Sequence, residues 1–238
     1  DTLSESDKIK ILDRNRMASK AMVKFNIKKC SPKYFMPYAG FFEEKAKRDS
    51  EILCRNLKNK IKDYEDIDGE LLNIDNFDSY FFRGQKMIEQ KLISRNKAQL
   101  DSPEVFISKT FNRYLYDEKF IKRYFDKSGF KKELMLYVTL TNDDFSQILN
   151  YITVDFREKK TQIKFDRFYW DEIKTDLVQS EVYSFNSLHI KVRQDSFLWL
   201  IYNQMPWEDL SIGFQCRIDR VPNVYNVDFW YHFTNIYL

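Results

Sequence analysis

Apolar side chains recur along this chain with two spacings, and each change of spacing marks an element. Near the C-terminus Ile212, Phe214, Cys216 and Ile218 alternate with Gly213, Gln215, Arg217 and Asp219, the period of a half-buried strand. That parity sends one set to a core and places Gln215 and Arg217 together on the other face. Residues 207–210 read as a helical turn before this strand, and Pro222-Asn223 as a turn after it. The segment 224–237 is too aromatic to be left in water.

The same reading extends to the rest of the chain. Ser4 and Asp7 form a capping-box start for a helix with Ile11, Ala18, Met22 and Phe25 roughly on one face. Pro32 bars Ser31 from helical geometry and stops that helix before Cys30-Ser31-Pro32. Residues 33–39 form a short expected strand ending at Gly40, and 43–62 an expected helix with Leu53, Leu57 and Ile61 in register. A strand is predicted over 79–82 and a helix or extended connection over 86–100. Ser102-Pro103-Glu104 supplies an N-cap, a first helical position and a first-turn acid for a helix interrupted near Asp117 and ended by Gly129. Strands follow at 133–140, 151–156, 163–168 and 181–192, then a helix at 194–203. Antiparallel strands backed by helices are the natural sum.

Charge narrows the functions open to the chain. Charged residues make up 32%, but 39 basic against 36 acidic side chains leave a net charge of only +3. Nucleic-acid domains carry a concentrated basic excess, so a nucleic-acid partner is not expected. The acids gather over 63–78, where Asp63, Glu65, Asp66, Asp68, Glu70, Asp75 and Asp78 meet no base. Asp66, Asp68 and Gly69 fit three positions of an EF-hand loop, but Tyr64 stands at its first position and Asp75 in place of its final Glu; an exposed acidic loop is expected instead. Cys30, Cys54 and Cys216 are odd in number and far apart, which points to a reducing, cytoplasmic compartment. Neither a membrane-spanning run nor a signal peptide is apparent. The chain opens without Met, which suggests a piece of a longer product.

Residues 207–233, WEDLSIGFQCRIDRVPNVYNVDFWYHF, also carry a resemblance. Trp207, Leu210, Ile212, Gly213, Phe214, Gln215, Arg217, Arg220, Pro222, Asn223, Tyr225, Phe229, Trp230, His232 and Phe233 match a pattern of the CMP-N-acetylneuraminate hydroxylase family, proteins that join a Rieske iron–sulfur domain to a metallo-β-lactamase-like domain. Pro37-Tyr38-Ala39-Gly40-Phe41-Phe42 is similar to a second family segment, and Lys122-Arg123-Tyr124-Phe125 with Gly129-Phe130 to a third, in family order. The resemblance implies an α/β and α+β chain. Residues 1–62 would end a metallo-β-lactamase-like αββα sandwich, 63–130 would be an acidic loop and helical connection, and 131–238 an α+β C-terminal domain with a mainly antiparallel sheet. It further implies oxygen-dependent hydroxylation of a nucleotide sugar, with electrons arriving from a donor protein through a 2Fe-2S cluster, and an iron or zinc site.

The metal-bearing parts are expected upstream. A Rieske centre takes two Cys and two His from two short motifs, whereas the two His of this chain, His189 and His232, lie near no Cys. The same pair is too small for a β-lactamase-like metal site. Family members can carry a His just past the Gly40 strand, but 43–48 holds Ala46 and no His. Five scattered glycines make no phosphate loop, and no motif marks a nucleophile. The chain by itself is therefore expected to show no turnover.

Its candidate substrate-binding residues are Tyr38, Gln215, Arg217, Arg220 and His232. The arginines offer donor forks for the carboxylate and phosphate of a sialic-acid nucleotide, or salt bridges that tie the C-terminal element to the sheet. Gln215 is a pocket wall or solvent-facing, and Tyr38 faces a cleft or a core. His232, flanked by Trp230 and Phe233, reads as an aromatic-cluster His bonded to a neighbour before it reads as a phosphate donor. A β-lactamase-like hydrolase without a Rieske centre and a non-catalytic binding module are the alternatives.

Overall fold

A computed structural model describes residues 4–36, 46–49, 61–72, 79–91, 101–158, 160–180, 185–213 and 215–234. The chain divides into two compact units, 1–101 and 102–238.

The first unit opens with helix α1 (Glu5–Cys30). Ser4 caps it by accepting from the Asp7 amide at 3.2 Å, and Ser31, left-handed at φ 44°, ends it where Pro32 forbids another turn. Its expected apolar face stays in water: Met22 is 61% and Phe25 64% exposed. Strand β1 (Tyr34–Phe35) pairs in parallel with β2 (Glu70–Leu71). Strands β3 (Ser79–Arg83) and β4 (Lys86–Lys91) form a hairpin, so the expected helix or connection after residue 86 begins as a strand. Gly84, at φ 57°, makes the hairpin turn at a backbone conformation costly for other residues. Within the expected helix 43–62, Lys47–Asp49 and the segment Ile61–Tyr64 are single 3-10 turns. The rest of that helix lies outside the described residues. Among those described over 1–62, one helix and a two-residue strand do not define an αββα sandwich. Asp66 of the acidic loop is held by Lys24 at 2.7 Å and Lys20 at 3.2 Å.

The second unit is built on a five-stranded sheet. Helices α2 (Pro103–Thr110) and α3 (Glu118–Lys127) come first, the latter capped by Asp117, the residue at which the sequence breaks the helix. Strands β5 (Leu134–Thr141), β6 (Ile148–Asp155) and β7 (Gln162–Lys164), helix α4 (Trp170–Gln179) and strand β8 (Asn186–Arg193) follow. Helices α5 (Gln194–Tyr202) and α6 (Glu208–Ile212), strand β9 (Cys216–Val221) and helix α7 (Val227–Thr234) complete the unit. The order is β7-β6-β5-β8-β9, with β5 and β8 parallel and the other junctions antiparallel. The unit is α+β with a mixed, mainly antiparallel sheet.

Central position explains the composition of β5, which is buried on both faces. On one face Leu136, Val138 and Leu140, with Ile152, Val154, Leu188, Ile190 and Val192, are fully buried against aromatic side chains of the helices. Each such side chain contributes about 1.5–3 kcal/mol relative to exposure. Phe125 of α3, Phe197 of α5, Trp207, and Phe229 and Phe233 of α7 fill this layer. The opposite face carries Tyr137, Thr139, His189, Lys191, Arg217 and Asp219, and α4 covers part of it through Trp170, Ile173 and Leu177. Trp170, Ile173 and Leu177 share one helical face, in the interval left unassigned between the strands expected at 163–168 and 181–192.

The 212–218 alternation is realised only from Cys216 onward. Ile212 closes α6 and is 69% exposed, and the Gly213 amide donates to Asp209 O at 3.0 Å. A Cβ on Gly213 would stand 2.8 Å from that same oxygen, so only glycine fits this helix end unstrained. Ile218 is 39% exposed because β9 is an edge strand. Phe214 lies outside the described residues.

Candidate functional site

Two polar regions of the second unit collect the chemically capable side chains. The first lies on the α4-covered face of the sheet. Register places His189 between Tyr137 of β5 and Asp219 of β9. Its Nε2 shares a 2.9 Å hydrogen bond with Thr139 Oγ1, and the Trp170 ring stacks on it at 4.8 Å. Burial pushes the His189 pKa down to about 4, against the opposing pull of nearby Asp219, so the imidazole is neutral at neutral pH. Asp219 Oδ2 accepts from Trp170 Nε1 at 2.9 Å and from Lys174 Nζ at 2.7 Å. Burial works to raise the Asp219 pKa, but those two donors, the Arg220 amide and the Lys174 charge together outweigh it and hold the carboxyl below its usual range. This network fastens α4 to the sheet.

Farther along the same face, Arg193 and Arg217 flank the Phe145 ring at 5.1 Å and 4.3 Å. Phe145 sits in the β5–β6 turn at φ 63°, an unusual conformation for a bulky residue. Arg193 is nearly inaccessible; its Nε donates to Asp143 O at 2.6 Å and its Nη1 to Gln215 Oε1 at 2.8 Å. Gln215 Nε2 in turn donates to Gly213 O at 2.7 Å. Both ends of the Gln215 amide are thus engaged within the chain. The structure brings Gln215 and Arg217 together, as their parity predicts, around Arg193 and Phe145, which no sequence pattern singles out.

The second region is a cleft of about 390 Å³ where β5 and β8 begin and α7 starts. Phe130, Lys132, Glu133, Asn186, Tyr225 and Asn226 are among its lining residues. Arg220 has the opposite parity to Arg217, and its guanidinium lies 5.8 Å from the Tyr225 ring centre. Asn226 is 8% exposed, and its Oδ1 is buried without a hydrogen-bond partner. No pattern singles out Asn226 in the sequence, because its importance comes from lost solvation.

His232 belongs to neither region. Its Nε2 donates to Ser128 O at 2.7 Å and its ring packs 5.2 Å from Phe130, which pins α7 to the turn after α3. Tyr38 lies outside the described residues. Among the described residues there is no group of three or more His, Cys, Asp or Glu placed to hold a metal ion. His189 and His232 are each hydrogen-bonded within the protein, and the buried thiol of Cys216 is pushed up to about 12. These donors do not fit an iron–sulfur cluster. No described helix is long and apolar enough to cross a membrane.

The second unit is therefore an α+β domain with a polar sheet face and a separate end cleft. In sequence the chain is similar to cytidine monophosphate-N-acetylneuraminic acid hydroxylases. The Mus musculus protein is 24% identical over 234 residues, covering 87% of this chain and 37% of the mouse protein. The Xenopus laevis protein is 26% identical over 240 residues, covering 87% of this chain and 36% of the relative. The Homo sapiens protein, described as inactive, is 24% identical over 233 residues, covering 87% and 42%. The chain spans less than half the length of these relatives. No family model and no solved structure matches it.

Proposed function

We propose that this chain is the C-terminal portion of a nucleotide-sugar hydroxylase related to the cytidine monophosphate-N-acetylneuraminic acid hydroxylases. The similarity across 87% of the chain to proteins of that name carries the reading. In such a reaction one atom of dioxygen enters a C–H bond of the sugar and the other leaves as water, with two electrons drawn from a donor protein and two protons from solvent. The 2Fe-2S cluster and the iron or zinc site that this requires are assigned in this reading to another segment of the polypeptide. No redox step is assigned to the described residues. Their part is scaffold and substrate surface: α4, His189 and Asp219 brace the sheet, and the polar groups at its edges meet the nucleotide sugar.

The test is to express the polypeptide as encoded, with this chain in its natural context, and supply a cytidine monophosphate-linked sialic acid, a reduced electron donor and isotopically labelled dioxygen. Label in the sugar is the expected result. Hydrolysis of the nucleotide sugar without oxygen incorporation would replace this reading with the hydrolase alternative.

A further inference from the structure

We infer that the cleft lined by Tyr225 and Asn226 is a nucleotide-binding site, with Arg220 at its rim holding the phosphate. The inference rests on the nucleotide-sugar reading and names the part of this chain that would meet the nucleotide.

Its central observation is Asn226. A buried carboxamide oxygen without a partner is a cost that native proteins rarely leave standing. Asn226 is 8% exposed, its Oδ1 is unpaired, and it belongs to the lining of a cleft of about 390 Å³. That volume lies within the range of small-molecule sites. The oxygen itself is shielded; turned into the cleft, it would meet a ligand N–H, such as the exocyclic amine of a base, and the cost would be removed.

The neighbouring groups extend the match. Tyr225 is 56% exposed and offers a flat aromatic face for a base to stack on. Lys132 and Asp228 satisfy one another at 3.5 Å, whereas Glu133 in the same lining supplies an acceptor suited to ribose hydroxyls. Arg220 has no carboxylate partner among the described residues and stands beside Tyr225, 5.8 Å from its ring centre, as a guanidinium suited to a phosphate. An anion alone would be poorly received between Glu133 and Asp228. A ligand that presents hydroxyl and amine donors at one end and a phosphate at the other satisfies every group.

The experiment is calorimetric titration of the 238-residue chain with cytidine monophosphate, cytidine and N-acetylneuraminate, using Arg220→Gln, Tyr225→Ala and Asn226→Ala, with circular dichroism to confirm folding. Cytidine monophosphate should bind about tenfold or more tightly than cytidine, and Arg220→Gln should abolish that difference while leaving cytidine unchanged. Tyr225→Ala and Asn226→Ala should weaken both ligands about fivefold or more. Tyr225 is exposed and Arg220 half-buried, so the inference remains testable if Asn226→Ala does not fold. Absence of nucleotide binding by the folded chain overturns it, as does binding of N-acetylneuraminate in place of the nucleotide. Loss of binding in Arg217→Gln with Arg220→Gln unaffected puts the nucleotide on the other sheet face and also overturns it, while the hydroxylase reading stands. Failure of the oxygen-incorporation assay instead sinks that reading, whatever the cleft binds.

Discussion

The indole N–H of Trp207 donates to the hydroxyl of Tyr124 at 2.8 Å across a sequence separation of 83 residues, inside the aromatic layer between α3 and α7. Trp207 is completely buried, and the Tyr124 hydroxyl, held by burial in its neutral form, has this as its partner. Tyr124→Phe leaves the indole donor buried and unpaired, so it should cost about 1–3 kcal/mol in urea unfolding. Trp207→Phe leaves the hydroxyl unpaired and also removes volume. Replacing both residues should cost less than the two single changes added together, because the double variant strands neither group.

Acid should loosen the contact between α4 and the sheet. His189 titrates near 4 when folded and near its ordinary 6.5 when unfolded, so between these values the unfolded chain binds the extra proton. The contribution is complete above about pH 6.5 and is lost as pH falls towards 4. The groups around His189 are Asp219 and Asp171, which favour its charge, and Lys174 and Lys191, which oppose it. The lowered pKa of Asp219 acts in the same direction, since its carboxylate too must be protonated in acid. Urea unfolding at pH 7 and pH 5 should show the wild type losing about 2 kcal/mol to His189 alone, and His189→Gln should remove that part of the slope.

Gln215 should matter to stability. Gln215→Ala removes the acceptor of the Arg193 Nη1 hydrogen bond and the donor to Gly213 O. Because Arg193 is nearly inaccessible, the change should cost about 1–3 kcal/mol and lower the melting temperature. Arg217→Gln, at an exposed edge-strand position, should change stability by less than about 0.5 kcal/mol. A thermal melt of each variant separates a bracing role for Gln215 from a solvent-facing one.

Where one residue's neighbours decide its conformation, the sequence was readable. Ser4, Pro32, Ser102, Asp117 and Gly129 all mark helix ends, because capping and φ restrictions act over a few residues. Leu136, Val138 and Leu140 likewise announce a buried strand. What was hidden depends on partners far along the chain. The core face predicted for α1 is exposed, since periodicity shows which residues share a face and not whether anything packs on it. Helix α4 is hard to read in the sequence because its Trp170, Ile173 and Leu177 follow a run of short apolar alternations that suit strands equally well. In the site, parity paired Gln215 with Arg217 and set Arg220 opposite, but Arg193, Phe145 and Asn226 gain their roles only from burial. His232 occupies the bonded, aromatic-cluster position that its flanking Trp230 and Phe233 favour.

The most direct measurement of the account is steady-state hydroxylation by the polypeptide as encoded, with this chain either wild type or carrying Arg220→Gln. The account predicts a nucleotide-sugar product that has gained one oxygen atom, and a KM for the nucleotide sugar raised about tenfold by Arg220→Gln with kcat little changed, as expected when uniform substrate binding is lost. A wild-type protein that yields no oxygenated product, or a variant whose KM matches the wild type, would contradict it.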